Sequence, residues 1–452
     1  MVLIGGLLVW RPDRSSGPSG TATPSAGSAR SDPLVAMLDR NGALATVDST
    51  GRTAVLGGGP GTTFGFPAWS PDGSRVAVVV SGADDTSISI FPVARPDLRP
   101  SGGVAPVVVY RSARIPPFYL YWSPDGRRVS FLATEANGIS LRVAPADGSA
   151  PLDGGPGTVI RQGAPLYFDW VATDRLLLHV GTGPGAFLGE VGLDGASVIP
   201  ALDGSGDFRP AVVGASGQFM AFVRGAAPSA VLVVAARDGS AEQTVPVSGP
   251  AAIVFDPGGT TVAWVAADQP GFASLAFPIG PLRLLDPASG ARRTLLDGAV
   301  VGFFWSPDGR TIAAIRLQAG SGTTVADRSI VAAAAIATPT PIPSADRTST
   351  PSQDAPPTPG ASLGSELHLL FVNVADGTIR SDRVIRLSPH FVNEFLPYFD
   401  QYALSHRVWA PDSSSLLLPL ADETGRVQLA ALQPDGSPST LRFDGDVGFW
   451  SP

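Results

Sequence analysis

The sequence has no cysteine and, because its 31 basic residues are all arginine, no lysine. Without cysteine there can be no disulfide framework, thiol nucleophile, cysteine-held zinc or iron–sulfur centre, c-type haem attachment or lipid-modified N-terminal cysteine. Without lysine there is no phosphate-loop lysine, no Schiff base with pyridoxal phosphate and no protein-kinase lysine. Charge is also scarce. Charged residues make up 15% of the chain, against about 25% in ordinary globular proteins. The excess is acidic, with a net charge of −8, which argues against nucleic acid or an anionic membrane surface as the main partner. What is plentiful is glycine and proline, 53 and 44 of the 452 residues, so the chain must turn often.

The first ten residues, MVLIGGLLVW, are apolar, and a Ser/Pro/Gly-rich stretch covers 11–33. A bilayer-spanning helix needs about 20 apolar residues, so residues 1–10 read as a truncated signal or membrane-anchor segment and 11–33 as the flexible linker behind it. A short hydrophobic arm is the alternative. The first reading implies an extracytoplasmic protein, periplasmic or at the cell surface, tethered to a membrane through its N-terminus.

Residues 34–452 carry an internal repeat. Clear copies are WSPDGSRVAVVV from Trp69, WSPDGRRVSFLA from Trp122 and WSPDGRTIAAIR from Trp305. FDPGGTTVAWVA from Phe255 and WAPDSSSLLLPLA from Trp409 are more diverged, the units at Trp170 and Val213 are recognisable by position, and FWSP closes the sequence. Ser-Pro-Asp-Gly is turn chemistry: proline presets φ, aspartate bonds back to the main chain, and glycine accepts a left-handed conformation. The short β-branched run after it reads as a buried strand, and a second strand ends in hairpin signals such as ADGS or PDGS. Each unit therefore predicts four antiparallel strands in about 45 residues, the size of a propeller blade. The stretch 34–58 supplies three strands of a unit and the C-terminal FWSP supplies the missing one. The expectation is all-β: a closed β-propeller of eight four-stranded blades, or seven if the Val213 unit is not genuine, with the ring closed by N- and C-terminal strands in one blade.

These Trp-Ser-Pro-Asp-Gly repeats resemble the WD-like repeats of the TolB-type β-propeller family over 34–452. The resemblance covers the repeats alone, since TolB itself is six-bladed with an N-terminal α/β domain. It implies extracytoplasmic protein–protein binding.

Two inserts lengthen the interval between Trp305 and Trp409. Residues 337–364 are rich in Pro, Thr and Ser and are expected to be disordered. Residues 388–407, SPHFVNEFLPYFDQYALSHR, instead hold five aromatics and two of the four histidines. Aromatics interleaved with polar groups suit a binding surface, so ligand or partner contacts are assigned to Phe391, Glu394, Tyr398, Asp400, Gln401, Tyr402 and His406. Phe395 and Phe399, at i and i+4, are expected to face inward, and Tyr398, Tyr402 and His406 to face out.

Other chemistry fits less well. The repeated aspartates Asp72, Asp125, Asp308 and Asp412 read as turn caps, not a ring of metal ligands. Gly360-Ala-Ser362-Leu-Gly364, followed by Asp400 and His406, matches a serine-hydrolase order but lacks the strand, sharp turn and helix of a nucleophile elbow. His390, Glu394, Asp400 and His406 have no recognised metal spacing, and GGGPGTT at 57–63 opens no helix and has no lysine. The sequence thus predicts a non-catalytic module for protein or ligand binding and scaffolding. Its expected features are no catalytic residues, metal or cofactor, a protein or envelope component as partner, no nucleic acid, and a monomeric state. The alternative is an enzyme with its active site on one face, a metal-dependent hydrolase or lyase.

Overall fold

The Ser-Pro-Asp-Gly turns are built from local hydrogen bonds. The Ser70 hydroxyl donates to Asp72 at 2.6 Å, the Ser74 main-chain N–H donates to the same carboxylate at 3.1 Å, and Gly73 takes φ 67°. The same serine-to-aspartate bond recurs at Ser123–Asp125 and Ser306–Asp308. These carboxylates hold their own turns, and each turn feeds a strand that buries consecutive residues.

The computed structural model describes residues 32–93, 105–150, 157–182, 185–198, 211–225, 229–248, 251–267, 278–319, 365–439 and 441–452. The apolar segment 1–10, nearly all of the linker 11–33 and the insertion 337–364 lie outside them. The chain divides into Met1–Asp32 and Pro33–Pro452, and every element below belongs to the second unit.

Seven antiparallel sheets are formed among the described residues. The first joins β1 (Val35–Asp39), β2 (Leu44–Val47) and β3 (Thr53–Gly57) to the last strand, β30 (Gly445–Trp450). The second contains β4 (Thr63–Phe64), β5 (Ala68–Trp69), β6 (Arg75–Ser81), β7 (Thr86–Pro92) and β8 (Val107–Ser112). The third contains β9 (Pro117–Trp122), β10 (Arg128–Glu135), β11 (Gly138–Pro145) and β12 (Thr158–Gln162), and the fourth β13 (Leu166–Ala172), β14 (Arg175–Val180) and β15 (Phe187–Gly192). The fifth has β16 (Val212–Val213), β17 (Phe219–Arg224), β18 (Val231–Ala236) and β19 (Glu242–Pro246). The sixth runs through β20 (Ala251–Phe255), β21 (Val262–Ala266), β22 (Gly280–Leu285), β23 (Arg292–Trp305), β24 (Thr311–Ala319), β25 (Ser365–Asn373) and β26 (Ile379–Ile385). The seventh has β27 (Leu416–Ala421), β28 (Val427–Leu432) and β29 (Arg442–Phe443).

This arrangement corrects the expectation of a closed propeller with eight, or seven, equal four-stranded blades. The sheets hold from three to seven strands, and none closes into a ring. The main cause is β23. Its first part pairs with β22 (Leu285↔Arg292, Leu282↔Leu296) and its second with β24 (Ala299↔Leu317, Trp305↔Ile312), so two units expected to be separate become one seven-stranded sheet. Asp297-Gly298, which reads as a strand terminator, is passed with Gly298 at φ 98° inside the continuous strand.

The chain-terminal strands do pair. Val35 lies opposite Trp450, Ala36 opposite Phe449 and Met37 opposite Gly448, which covers an edge of β1 that would otherwise be open. Between sheets, the repeat tryptophans act as hydrogen-bond donors as well as apolar fill. Trp122 Nε1 donates to the Ala68 carbonyl at 3.0 Å, Trp409 to Phe304 at 3.1 Å, and Trp69 to Phe449 at 2.9 Å. In each case the acceptor immediately precedes the aromatic of another repeat. The largest core cluster gathers Phe303, Phe304, Phe371, Trp409 and Phe449 from these strands, together with Phe391, Phe395 and Phe399 from the aromatic insert.

Candidate functional site

Residues 389–405 are helical throughout but not of uniform pitch: a π turn spans Phe391–Phe395, a 3-10 turn Leu396–Tyr398, and α1 Phe399–Ser405. Ser388 and Pro389 start it. The Ser388 hydroxyl accepts from the Phe391 N–H at 3.1 Å, and proline fits the first helical position, where no N–H is needed. Pro397 has no N–H to continue the ladder, and the pitch changes around it.

The helical segment packs against strands of different sheets, with α1 touching β9, β13, β20 and β23. Phe395 and Phe399 are fully buried. Phe395 stacks on Phe391 at 4.6 Å and on Tyr402 at 4.8 Å, while Phe399 meets Phe303 edge-on at 5.2 Å. Phe66, from the loop before β5, lies against the same cluster, 5.2 Å from Tyr402 and 6.0 Å from Phe449.

The seven assigned residues therefore divide. Glu394 and Tyr398 are solvent-facing, with a 65% exposed Glu394 side chain and 40% exposure at Tyr398. Phe391, Asp400, Gln401 and His406 are buried, and Tyr402 is half-buried. The expected inward placement of Phe395 and Phe399 is observed. The outward placement of Tyr402 and His406 is corrected: both turn into the aromatic cluster, where Tyr402 meets the His406 ring at 5.2 Å. The reason is the change of pitch, which moves these residues off the face that uniform helical spacing assigns them.

Beneath α1 lies a polar centre. Tyr119 donates its hydroxyl hydrogen to the Gln401 carbonyl at 2.7 Å. Tyr119 is a bulged residue in β9 with φ 47°, a left-handed conformation that a bulky side chain adopts only when its surroundings impose it. Tyr121 donates to Asp169 at 3.2 Å, and the Val213 N–H donates to the other oxygen of Asp169, also at 3.2 Å. Asp400 accepts from the Gln401 N–H at 3.0 Å. Neither aspartate forms an ion pair among the described residues. Burial raises Asp169 to about 7 against the opposing hydrogen bonds, and burial likewise raises Asp400 to about 7 against the N–H groups of Gln401 and Ile253. The Tyr167 hydroxyl and Gln401 Nε2 are buried without a hydrogen-bond partner.

The two histidines of the segment behave oppositely. Burial lowers His406 to about 3, so its imidazole is neutral, with Nδ1 2.7 Å from the Ser405 hydroxyl. At His390 burial also opposes the charge, but Asp446 at 3.1 Å and Glu394 at 3.2 Å outweigh it and raise the imidazole to about 9. His390 also lies 5.1 Å from the Phe66 ring, a cation–π distance. A cavity of about 10 Å³ lies next to it, lined by Phe66, Phe391, Phe395 and Asp446 among others. That is room for one water.

No family model and no curated protein matches the chain. Solved structures do. The dihydro-heme d1 dehydrogenase NirN in complex with DHE aligns with a TM-score of 0.50 at 13% identity, covering 94% of this chain and 76% of that one. This likeness concerns the fold alone. Apo AztD from Citrobacter koseri aligns with a TM-score of 0.47 at 12% identity, over 92% of this chain and 96% of that one. TolB from Acinetobacter baumannii gives a weaker, partial match, with a TM-score of 0.36 at 16% identity over 57% of this chain. The chain spans 62% of that TolB. These low-identity matches show no membership of a WD-like repeat family.

Among the described residues no group of three His, Asp or Glu side chains could hold a metal ion. The His390, Glu394, Asp400 and His406 set is dispersed: half-buried His390 pairs with exposed Glu394, and the last two are buried. The Gly360-Ser362-Gly364 motif lies outside the described residues. Sequence reading missed Phe66, Tyr119, Tyr121, Tyr167, Asp169 and Asp446. Only Phe66 carried a local signal, as an aromatic in the Thr-Phe-Gly-Phe-Pro stretch at 63–67.

Proposed function

We propose that the chain is a non-catalytic binding module acting outside the cytoplasm, whose partner contacts are made at the exposed part of the 388–407 segment. The observation that supports this is the exposed tyrosine Tyr398, set one helical turn from the exposed carboxylate of Glu394 and held on a segment whose phenylalanines are buried. A rigid, amphipathic aromatic on an anchored backbone loses little entropy on binding, and a neighbouring carboxylate fixes orientation. The partner of this reading is a protein or another envelope component, and Phe391, Asp400, Gln401, Tyr402 and His406 act by holding the segment in place. Asp169 and Asp400 are the groups an enzyme would use, but they are 3% and 8% exposed.

The test is site-specific photocrosslinking in the source cell. A benzophenone side chain at position 398 is compared with one at Val55, which is 67% exposed on β3. A discrete adduct from position 398, absent from position 55 and abolished by Glu394→Arg, is expected. No adduct at 398, or the same adducts at both positions, sinks the assignment. Fractionation of the tagged chain tests the compartment separately, and recovery in the cytoplasm overturns that part.

A further inference from the structure

The polar centre beneath α1 combines three features that packing alone does not require. Two carboxyl groups, Asp169 on β13 and Asp400 on α1, are buried without a cationic partner among the described residues. The Tyr167 hydroxyl between the same elements has no hydrogen-bond partner. Tyr119 is held in a left-handed conformation by a bulge and aims its hydroxyl at the helix. A strained residue and unsatisfied polar atoms at one interface mark a place where the docked state is only one of two arrangements within reach.

We propose that residues 389–405 form a proton-linked plug, docked tightly against β9, β13 and β20 when Asp169 and Asp400 are protonated and loosened there when they ionise. The physical cause is that a charged carboxylate without a counter-ion is costly in a dry interface, whereas a protonated one is a modest polar group that also gains a hydrogen to donate. Loosening admits water to the carboxylates and to the Tyr167 hydroxyl and releases Tyr119 from its bond to Gln401. The aromatic contacts of Phe391 and Phe395 hold the other end of the segment.

The groups facing the two acids decide the sign. β9 presents Tyr119 and Tyr121, β13 presents Tyr167 beside Asp169, and all three tyrosines are raised, chiefly by burial, so they stay neutral. β16 and β20 offer only the N–H groups of Val213 and Ile253, and β23 places Phe303 and Phe304 against the segment. Arg407 interacts with Tyr121 and forms no ion pair with either acid. His406 acts in the opposite sense, since undocking lets it take up a proton at low pH. Both acids stand at about 7 when docked and return to the ordinary carboxylate range when hydrated. Each therefore favours docking fully below that range and loses its effect as pH rises through 7.

Amide hydrogen exchange of residues 396–406 in the full chain, corrected for the intrinsic pH effect, tests this between pH 4.5 and 8. Asp400→Asn keeps the shape of the protonated acid and cannot ionise. Its protection is expected to match the wild type at the acid end and to exceed it increasingly toward pH 7, by up to about tenfold per pH unit, then by a constant factor. Asp169→Asn is measured alongside and is expected to behave in the same way. A protection ratio that does not vary with pH in either variant overturns the proposal, as does equal protection of variant and wild type throughout. The readout does not depend on any partner, so it stands or fails separately from the crosslinking at position 398.

Discussion

The indole of Trp69 donates to the main-chain carbonyl of Phe449, 2.9 Å away and 380 positions along the chain. With the pairing of β1 and β30, this bond ties the two ends of the folded unit to each other. Deleting Asp446–Pro452 removes Phe449 and Trp450, each 3% exposed, and opens the edge of β1. Burial of one such aromatic contributes about 1.5–3 kcal/mol, so the truncated chain is expected to lose several kcal/mol in urea denaturation. Trp69→Phe keeps most of the packing and removes only the donor, for an expected loss of about 1–3 kcal/mol. Unchanged denaturation midpoints in both would show that the terminal strands contribute nothing.

The parts of this fold that sequence reading reached are those set by neighbours in the chain. The turn aspartates, the hairpins and the strand content follow from Ser-Pro-Asp-Gly and from alternation, and the pairing at the termini follows from complementary fractions of a repeat. The fusion of two units through β23 was not legible, because Asp297-Gly298 has the composition of a terminator and only the two flanking strands keep it extended. The site was half legible. Five aromatics in one insert singled out the helical segment, but their composition is the same for a surface patch and for a core wedge. What decides between the two is packing with β9, β13, β20 and β23, which lie far away in sequence. The bulge that turns Tyr119 toward Gln401 left no local sign at all.

Tyr119→Phe removes the hydroxyl that meets the Gln401 carbonyl and leaves the ring contact with Tyr402, centroids 5.3 Å apart, in place. A buried bond of this kind contributes about 1 kcal/mol, and the carbonyl left behind adds a comparable penalty. The expected result is a stability loss of about 1–2 kcal/mol, with faster amide exchange confined to 399–406. If exchange instead rises evenly through β9 and β10, Tyr119 serves its own sheet and not the helix.

His406 gives the acid limb of the stability curve a component of its own. Its folded value is depressed to about 3 by burial, against about 6.5 in an unfolded chain. The neutral form is favoured on folding, so its contribution is complete above about 6.5 and is lost as pH falls toward 3. His406→Phe removes the titration while keeping a ring among Phe66, Tyr402 and Phe449. The difference in stability between variant and wild type is expected to shift in favour of the variant as the solution is acidified through that range. A difference that stays constant from pH 7 to pH 4 would mean that His406 titrates normally and is reached by water.

At the start of the helical segment the sign is reversed. His390 is held between Asp446 and Glu394 and is raised to about 9 despite its partial burial. The charged form is favoured on folding, so the stabilisation is complete below about 6.5 and is lost as pH rises through about 9. Asp446 belongs to β30, and the ion pair therefore pins the first helical turn to the strand that joins the chain ends. Asp446→Asn removes one of the two charges holding the proton and is expected to bring the His390 titration, followed by its ring proton shifts in NMR, down toward the ordinary range. The alkaline loss of stability should then begin at lower pH, while Glu394→Gln, acting on the more exposed partner, should produce the smaller shift. A His390 titration that stays near 9 in both variants would assign its raised value to something other than these carboxylates, with the Phe66 ring at 5.1 Å the remaining source of attraction. In that case Phe66→Leu should lower it where the two carboxylate variants did not.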